Sequence, residues 1–110
     1  MAIAKIHSGR CGFNTMVEAT LYETDDGDRV KLVIQSECKS CMKLAAVLTD
    51  VDSLREITYR GDGPLTLELA AKLLPHTACP VPSGIIKAIE VASGLALPAD
   101  ASITLSKDSE

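Results

Sequence analysis

Aromatic side chains are almost missing from this 110-residue chain, which has no Trp, one Phe and two Tyr. A surface that stacks nucleobases on aromatic rings is therefore not expected. Basic runs are missing as well: the eleven Lys and Arg are dispersed and the formal charge is −4. Such a chain is poorly suited to neutralising a phosphate backbone, so nucleic acid is not an expected partner. No stretch approaches the ~20 consecutive apolar residues of a membrane span, and residues 1–7 lack the charged and apolar parts of a secretory leader. The expectation is a cytoplasmic chain with no membrane partner. Disulfides are uncommon in that compartment, so its cysteines are expected to stay reduced, bind metal or cycle chemically.

Apolar residues still make up 46% of the chain, enough for a core of Leu, Ile, Val and Ala. The length suits one domain over 1–110, with a polar tail at 106–110. Alternation of apolar and polar residues predicts a strand from Ala2 to Ser8 and a second from Thr15 to Glu23. Asp25-Asp26-Gly27-Asp28 is turn chemistry, and Val30, Leu32 and Ile34 resume the period of two, so a hairpin joins strands two and three. Cys41, Leu44, Ala45 and Leu48 then follow helical spacing, in a helix ending near Asp50. A short helix is read at Ser53–Ile57 and another from about Thr66 to Leu74, stopped by Pro75. A further helix follows Cys79-Pro80-Val81-Pro82-Ser83, turns Ile85, Ile86, Ile89 and Ala92 inward, and closes at Gly94. Ala101 to Leu105 alternates again and is read as a last strand. The predicted fold is α+β: one mostly antiparallel sheet in the order β-β-β-α-α-α-β, with helices on one face and Glu18, Thr20, Tyr22, Lys31 and Gln35 on the wet face.

The chemistry lies in four cysteines, Cys11, Cys38, Cys41 and Cys79. With strand one running up, strand two down and strand three up, Cys11 and the Cys38/Cys41 pair fall at the same sheet edge. Cys79 joins them if the last strand runs upward, because the preceding helix must then descend from that edge. Helix starts favour thiolate, and both the pair and Cys79 are placed at such starts. Arg10, Lys39, Lys43 and His76 are near these cysteines in sequence. Four sulfur ligands suit zinc or an iron–sulfur cluster at one site. One C-x-x-C running into a helix, rather than two knuckles, favours iron–sulfur.

Cys79-Pro80-Val81-Pro82 locally resembles the CPxP segment of TusA-type sulfur carriers, whose motif cysteine holds a persulfide. That resemblance implies Cys79 as the carrier thiol. Strand–Cys38-x-x-Cys41–helix resembles the corner of thioredoxin-like enzymes, although three leading strands are not that fold. Over most of its length the chain resembles an uncharacterised four-cysteine domain family of anaerobic archaea and bacteria, through Ser8-Gly9-x-Cys11-Gly12-Phe13, the C-x-x-C pair, and Cys79-Pro80-Val81-Pro82 leading to Leu95-Ala96-Leu97-Pro98. This third likeness implies no activity.

The sequence thus favours a small metal- or iron–sulfur-binding domain for structure, electron transfer or sensing, with all four cysteines as ligands. A sulfur-carrier or thiol-redox protein with Cys79 as the reactive thiol is the alternative, its partner a redox or sulfur-transfer protein. A plain interaction domain with buried thiols is the third reading. No catalytic constellation identifies an enzyme: Gly61-Asp62-Gly63 lacks the Lys of a phosphate loop, Asp25, Asp26 and Asp28 suit a turn better than a calcium loop, and no Ser/His/Asp set is legible. His7 is read as solvated on a strand, and His76 as a solvated loop residue or auxiliary ligand.

Overall fold

A computed structural model describes residues 1–108; Ser109 and Glu110, at the end of the expected polar tail, lie outside the described residues. Strand β1 is Ala2–His7, β2 Asn14–Thr24 and β3 Gly27–Ser36. Helix α1 is Lys39–Val47, strand β4 Asp50–Asp52, and the helices α2, α3 and α4 are Ser53–Glu56, Leu65–Leu73 and Val81–Ala92. The four strands form one sheet in the order β1-β2-β3-β4, antiparallel throughout.

Alternation decides the layers. Val17 and Ala19 on β2, and Val30, Leu32 and Ile34 on β3, are buried beneath the helices, while Glu18, Lys31, Val33 and Gln35 face the other way. α4 packs on β1 and β2, and α1 on β3. Leu44, Ile85 and Ile89 on the helices, and Leu48 at the end of α1, are the large side chains that fill the space between. Each contributes on the order of 1.5–3 kcal/mol by leaving water. The β2–β3 hairpin turns through Asp25 and Asp26, with Thr24 opposite Gly27 and the Thr24 hydroxyl donating to the Gly27 carbonyl at 2.7 Å. Gly27 has φ 121°, which its missing β-carbon permits.

The later order departs from the sequence reading. The fourth strand stands between α1 and α2, giving β-β-β-α-β-α-α-α, and Ala101–Leu105 forms no strand. The chain leaves α1 at Leu48 and at once lays Asp50–Asp52 beside Arg29–Lys31, so that flank of β3 is occupied long before the tail is reached. Alternation makes a segment fit for a strand but does not supply its partner. α4 ends as expected: Gly94 has φ 74°, its amide bonds to Val91 O at 3.1 Å and the Leu95 amide to Glu90 O at 2.9 Å.

Candidate functional site: three converging thiols

Ile6 pairs with Thr15 and Thr15 with Ser36, so three strands end level at one edge of the sheet. Cys11 lies just beyond, on a loop closed by Ser8 N–H to Phe13 O at 3.0 Å and Gly12 N–H to Gly9 O at 2.9 Å. Asn14 N–H donates to Glu37 Oε1 at 2.7 Å, Glu37 N–H to Asn14 O at 3.1 Å, and His7 Nδ1 lies 3.0 Å from Asn14 Oδ1. These bonds fasten the base of the Cys11 loop to the residue preceding Cys38.

Cys79 reaches the same edge by a cause absent from the sequence argument. A β-carbon on Gly84 would overlap the Ile6 side chain, so it is the missing methyl that lets the first turn of α4 rest on the end of β1. Cys79 stands two residues before that helix, in a turn where its amide bonds to His76 O at 3.3 Å. Pro80 is the N-cap and Pro82 lies in the first turn, where an amide has no partner within the helix. The final strand invoked to orient this helix is not formed, yet the helix has the orientation it was invoked to give.

Cys38 is the N-cap of α1, with extended backbone at φ −88° and ψ 125°. Ser36 Oγ accepts the Cys38 amide at 3.1 Å and bonds to Thr15 Oγ1 at 2.7 Å, fixing the approach to the helix. The Cys38 side chain makes no regular capping hydrogen bond, and the amides of Ser40 and Cys41 in the first turn of α1 act on its sulfur. The Cys41 amide above all holds the Cys38 thiol below its ordinary pKa; partial burial opposes this, and the Cys41 thiol and the Ser40 amide add to the lowering. Cys41, one turn on, is 2% exposed. Burial first, then its role as hydrogen-bond partner to Cys38 and the negative charge possible on Cys38 and Cys79, push it up to about 12, against a smaller opposing effect of the Ser36 hydroxyl. Of the two sulfurs Cys38 is thus the easier to deprotonate and Cys41 the harder.

Cys38, Cys41 and Cys79 are brought together, whereas Cys11 is exposed on the loop at the same edge. Among the described residues no three His, Cys, Asp or Glu side chains are grouped so as to hold a metal ion. His76 is exposed, and His7 is tied to Asn14. Ser36, Asn14, Glu37 and Gly84 position the site and went unnoticed in the sequence. Only Ser36 leaves a local signal, as a hydroxyl two residues before a helix N-cap; the others act on partners far along the chain.

Residues 2–105 match the model of a family of unknown function, DUF6951. The chain belongs to that family. The match begins with β1 and runs through the tail as far as Leu105, in agreement with the four-cysteine likeness that extends over most of the sequence. It lends nothing to the local TusA-type likeness, whose segment here comes after four strands and three helices. No curated protein and no solved structure matches the chain. No helix among the described residues is long and apolar enough to cross a membrane.

Proposed function

We propose that this domain carries out thiol–disulfide exchange, with Cys38 as the attacking sulfur and Cys41 as the resolving thiol. The observation that carries this reading is the asymmetry of the pair: Cys38 sits at the open start of α1, and Cys41 is buried one turn further in. The Cys38 thiolate attacks one sulfur of a disulfide R–S–S–R′, forming Cys38–S–S–R and releasing R′S⁻. Cys41 then gives its proton to solvent or to the departing thiolate and attacks the Cys38 sulfur, releasing RS⁻. The substrate gains two electrons and the pair becomes a Cys38–Cys41 disulfide. A reducing compartment such as the cytoplasm, with a redox or sulfur-transfer protein to return the pair to dithiol, suits this cycle. Relative to the sequence reading, the reactive thiol moves from Cys79 to Cys38, with Cys79 beside the pair as a third sulfur.

Removing the resolving thiol tests it. A Cys41→Ser variant exposed to oxidised glutathione is expected to accumulate a mixed disulfide on Cys38, located by peptide mass spectrometry, while the parent chain accumulates the internal disulfide. Adducts spread evenly over Cys11, Cys38 and Cys79 would reject the assignment.

The second reading is a zinc or iron–sulfur centre on Cys38, Cys41, Cys79 and Cys11, favoured by the fastening of the Cys11 loop to the same edge. Four sulfur donors fit either group chemically, and the sulfurs would have to be drawn closer together than they stand. Anaerobic purification with metal and acid-labile sulfide analysis decides it: stoichiometric metal, lost on Cys11→Ser substitution, would displace the exchange reading.

A further inference from the structure

Every described residue from Leu97 to Asp108 is exposed, and Leu97, Ile103 and Leu105 are 88%, 83% and 88% exposed. Three large apolar side chains in one tail are unusual where nothing covers them. The segment Ala101-Ser102-Ile103-Thr104-Leu105 alternates apolar and polar residues and contains β-branched residues, as a strand does. It also lies within the family match, which extends through it to Leu105.

The sheet offers the complementary feature. β1 is an edge strand, paired with β2 on one side only, and its six residues leave a row of backbone donors and acceptors open on the other. The opposite edge is the three-residue β4. Pro98 biases Leu97 to extended backbone, and the tail beyond it forms no element with its own sheet. The long axis of the molecule is 58 Å against 28 and 26 Å for the other two.

We infer that two copies of this chain exchange tails, Ala101–Leu105 of each adding as a fifth strand to the free edge of β1 in the other. Backbone hydrogen bonds supply the pairing, and Ile103 and Leu105 lie on one face of the added strand while Ser102 and Thr104 lie on the other. The exchange is reciprocal, so it closes at a two-fold dimer.

The experiment is sedimentation velocity on the full chain across a concentration series, beside a chain ending at Gly94 and an Ile103→Asp/Leu105→Asp variant. The full chain is expected to be a dimer at tens of micromolar, and both altered chains to be monomers with unchanged circular dichroism of the helices. If the shortened chain does not fold, the double variant decides alone. A full chain that stays monomeric overturns the inference, including the case in which hydrogen exchange finds 101–105 protected within one copy. So does a dimer that survives both alterations.

Discussion

Two helix starts in this domain solve the same problem in opposite ways. At the start of α3 the N-cap is Pro64, which has no side-chain acceptor, and a buried glutamate from another helix takes its place. Glu56 is 1% exposed, accepts the Leu65 and Thr66 amides at 2.8 Å each, and accepts the Thr66 hydroxyl at 2.5 Å. At the start of α1 the cap is Cys38, a weak acceptor as a thiol, and the free amides favour its thiolate. One terminus is capped by a buried side chain; at the other the amides act on the Cys38 sulfur and lower its pKa. The physics of helix-end amides is the same in both, so a buried glutamate makes structure of it, and a partly exposed cysteine is where the proposed chemistry would start.

Breaking the satisfied end has the largest expected effect. Glu56→Ala leaves one buried and one partly buried amide and a buried hydroxyl without an acceptor, and thermal or denaturant unfolding should report a loss of about 2–4 kcal/mol. Cys38 reactivity should persist wherever the variant remains folded. Gly84→Val, which drives a side chain into Ile6, is expected to cost about 1–3 kcal/mol by unfolding. It should also shift the alkylation rate of Cys79, because the first turn of α4 must lift from β1; pairing it with Ile6→Ala should return part of the stability.

Closing the open end sharpens the comparison further. Serine is a good N-cap, so Cys38→Ser should stabilise the reduced protein by about 0.5–1 kcal/mol while abolishing the proposed disulfide exchange. A gain in stability with loss of exchange at a single atom is what a cap kept for the proposed chemistry implies.

A smaller effect is expected far from the thiols. On the open sheet face Asp50 accepts from the Tyr22 hydroxyl and from Arg29 Nε at 2.6 Å, with Lys31 over the Tyr22 ring at 5.1 Å. Partial burial pushes the Asp50 carboxyl up, but Tyr22, Arg29 and Lys31 outweigh it and hold it below the usual range. Its stabilising contribution is therefore present above the unfolded value near 3.9 and lost as pH falls through the lowered folded value. Because both partners are about a third exposed, Asp50→Asn should change stability at neutral pH by only about 0.2–1 kcal/mol and flatten the acid limb of the stability profile.

The legible parts of the fold were those whose signals are local and repeated. The β2–β3 hairpin followed from period-two alternation on both sides of Asp25–Gly27, and the Cys41/Leu44/Leu48 stripe from helical spacing. β4 was missed because three residues, Asp50–Asp52, are too few to show a period. Ala101–Leu105 forms no strand within the single chain because alternation alone does not supply a strand with its partner. The meeting of Cys79 with the pair was expected through that strand and arises instead from Gly84 against Ile6, a contact between residues 78 positions apart in the sequence. The Glu56 cap was illegible for a related reason: the donors it serves lie nine and ten residues away, across a loop.

The central claim is that the start of α1 lowers the pKa of Cys38 while burial raises that of Cys41. Alkylation of the reduced native protein by iodoacetamide as a function of pH, with each cysteine followed by peptide mass spectrometry, measures it directly. Cys38 should react first, with a midpoint below the ~8.5 of a free cysteine peptide, and Cys41 last, resisting into strongly alkaline solution until the fold opens. Equal rates at Cys38 and Cys41, or a Cys38 midpoint at or above that of the peptide, would contradict the account.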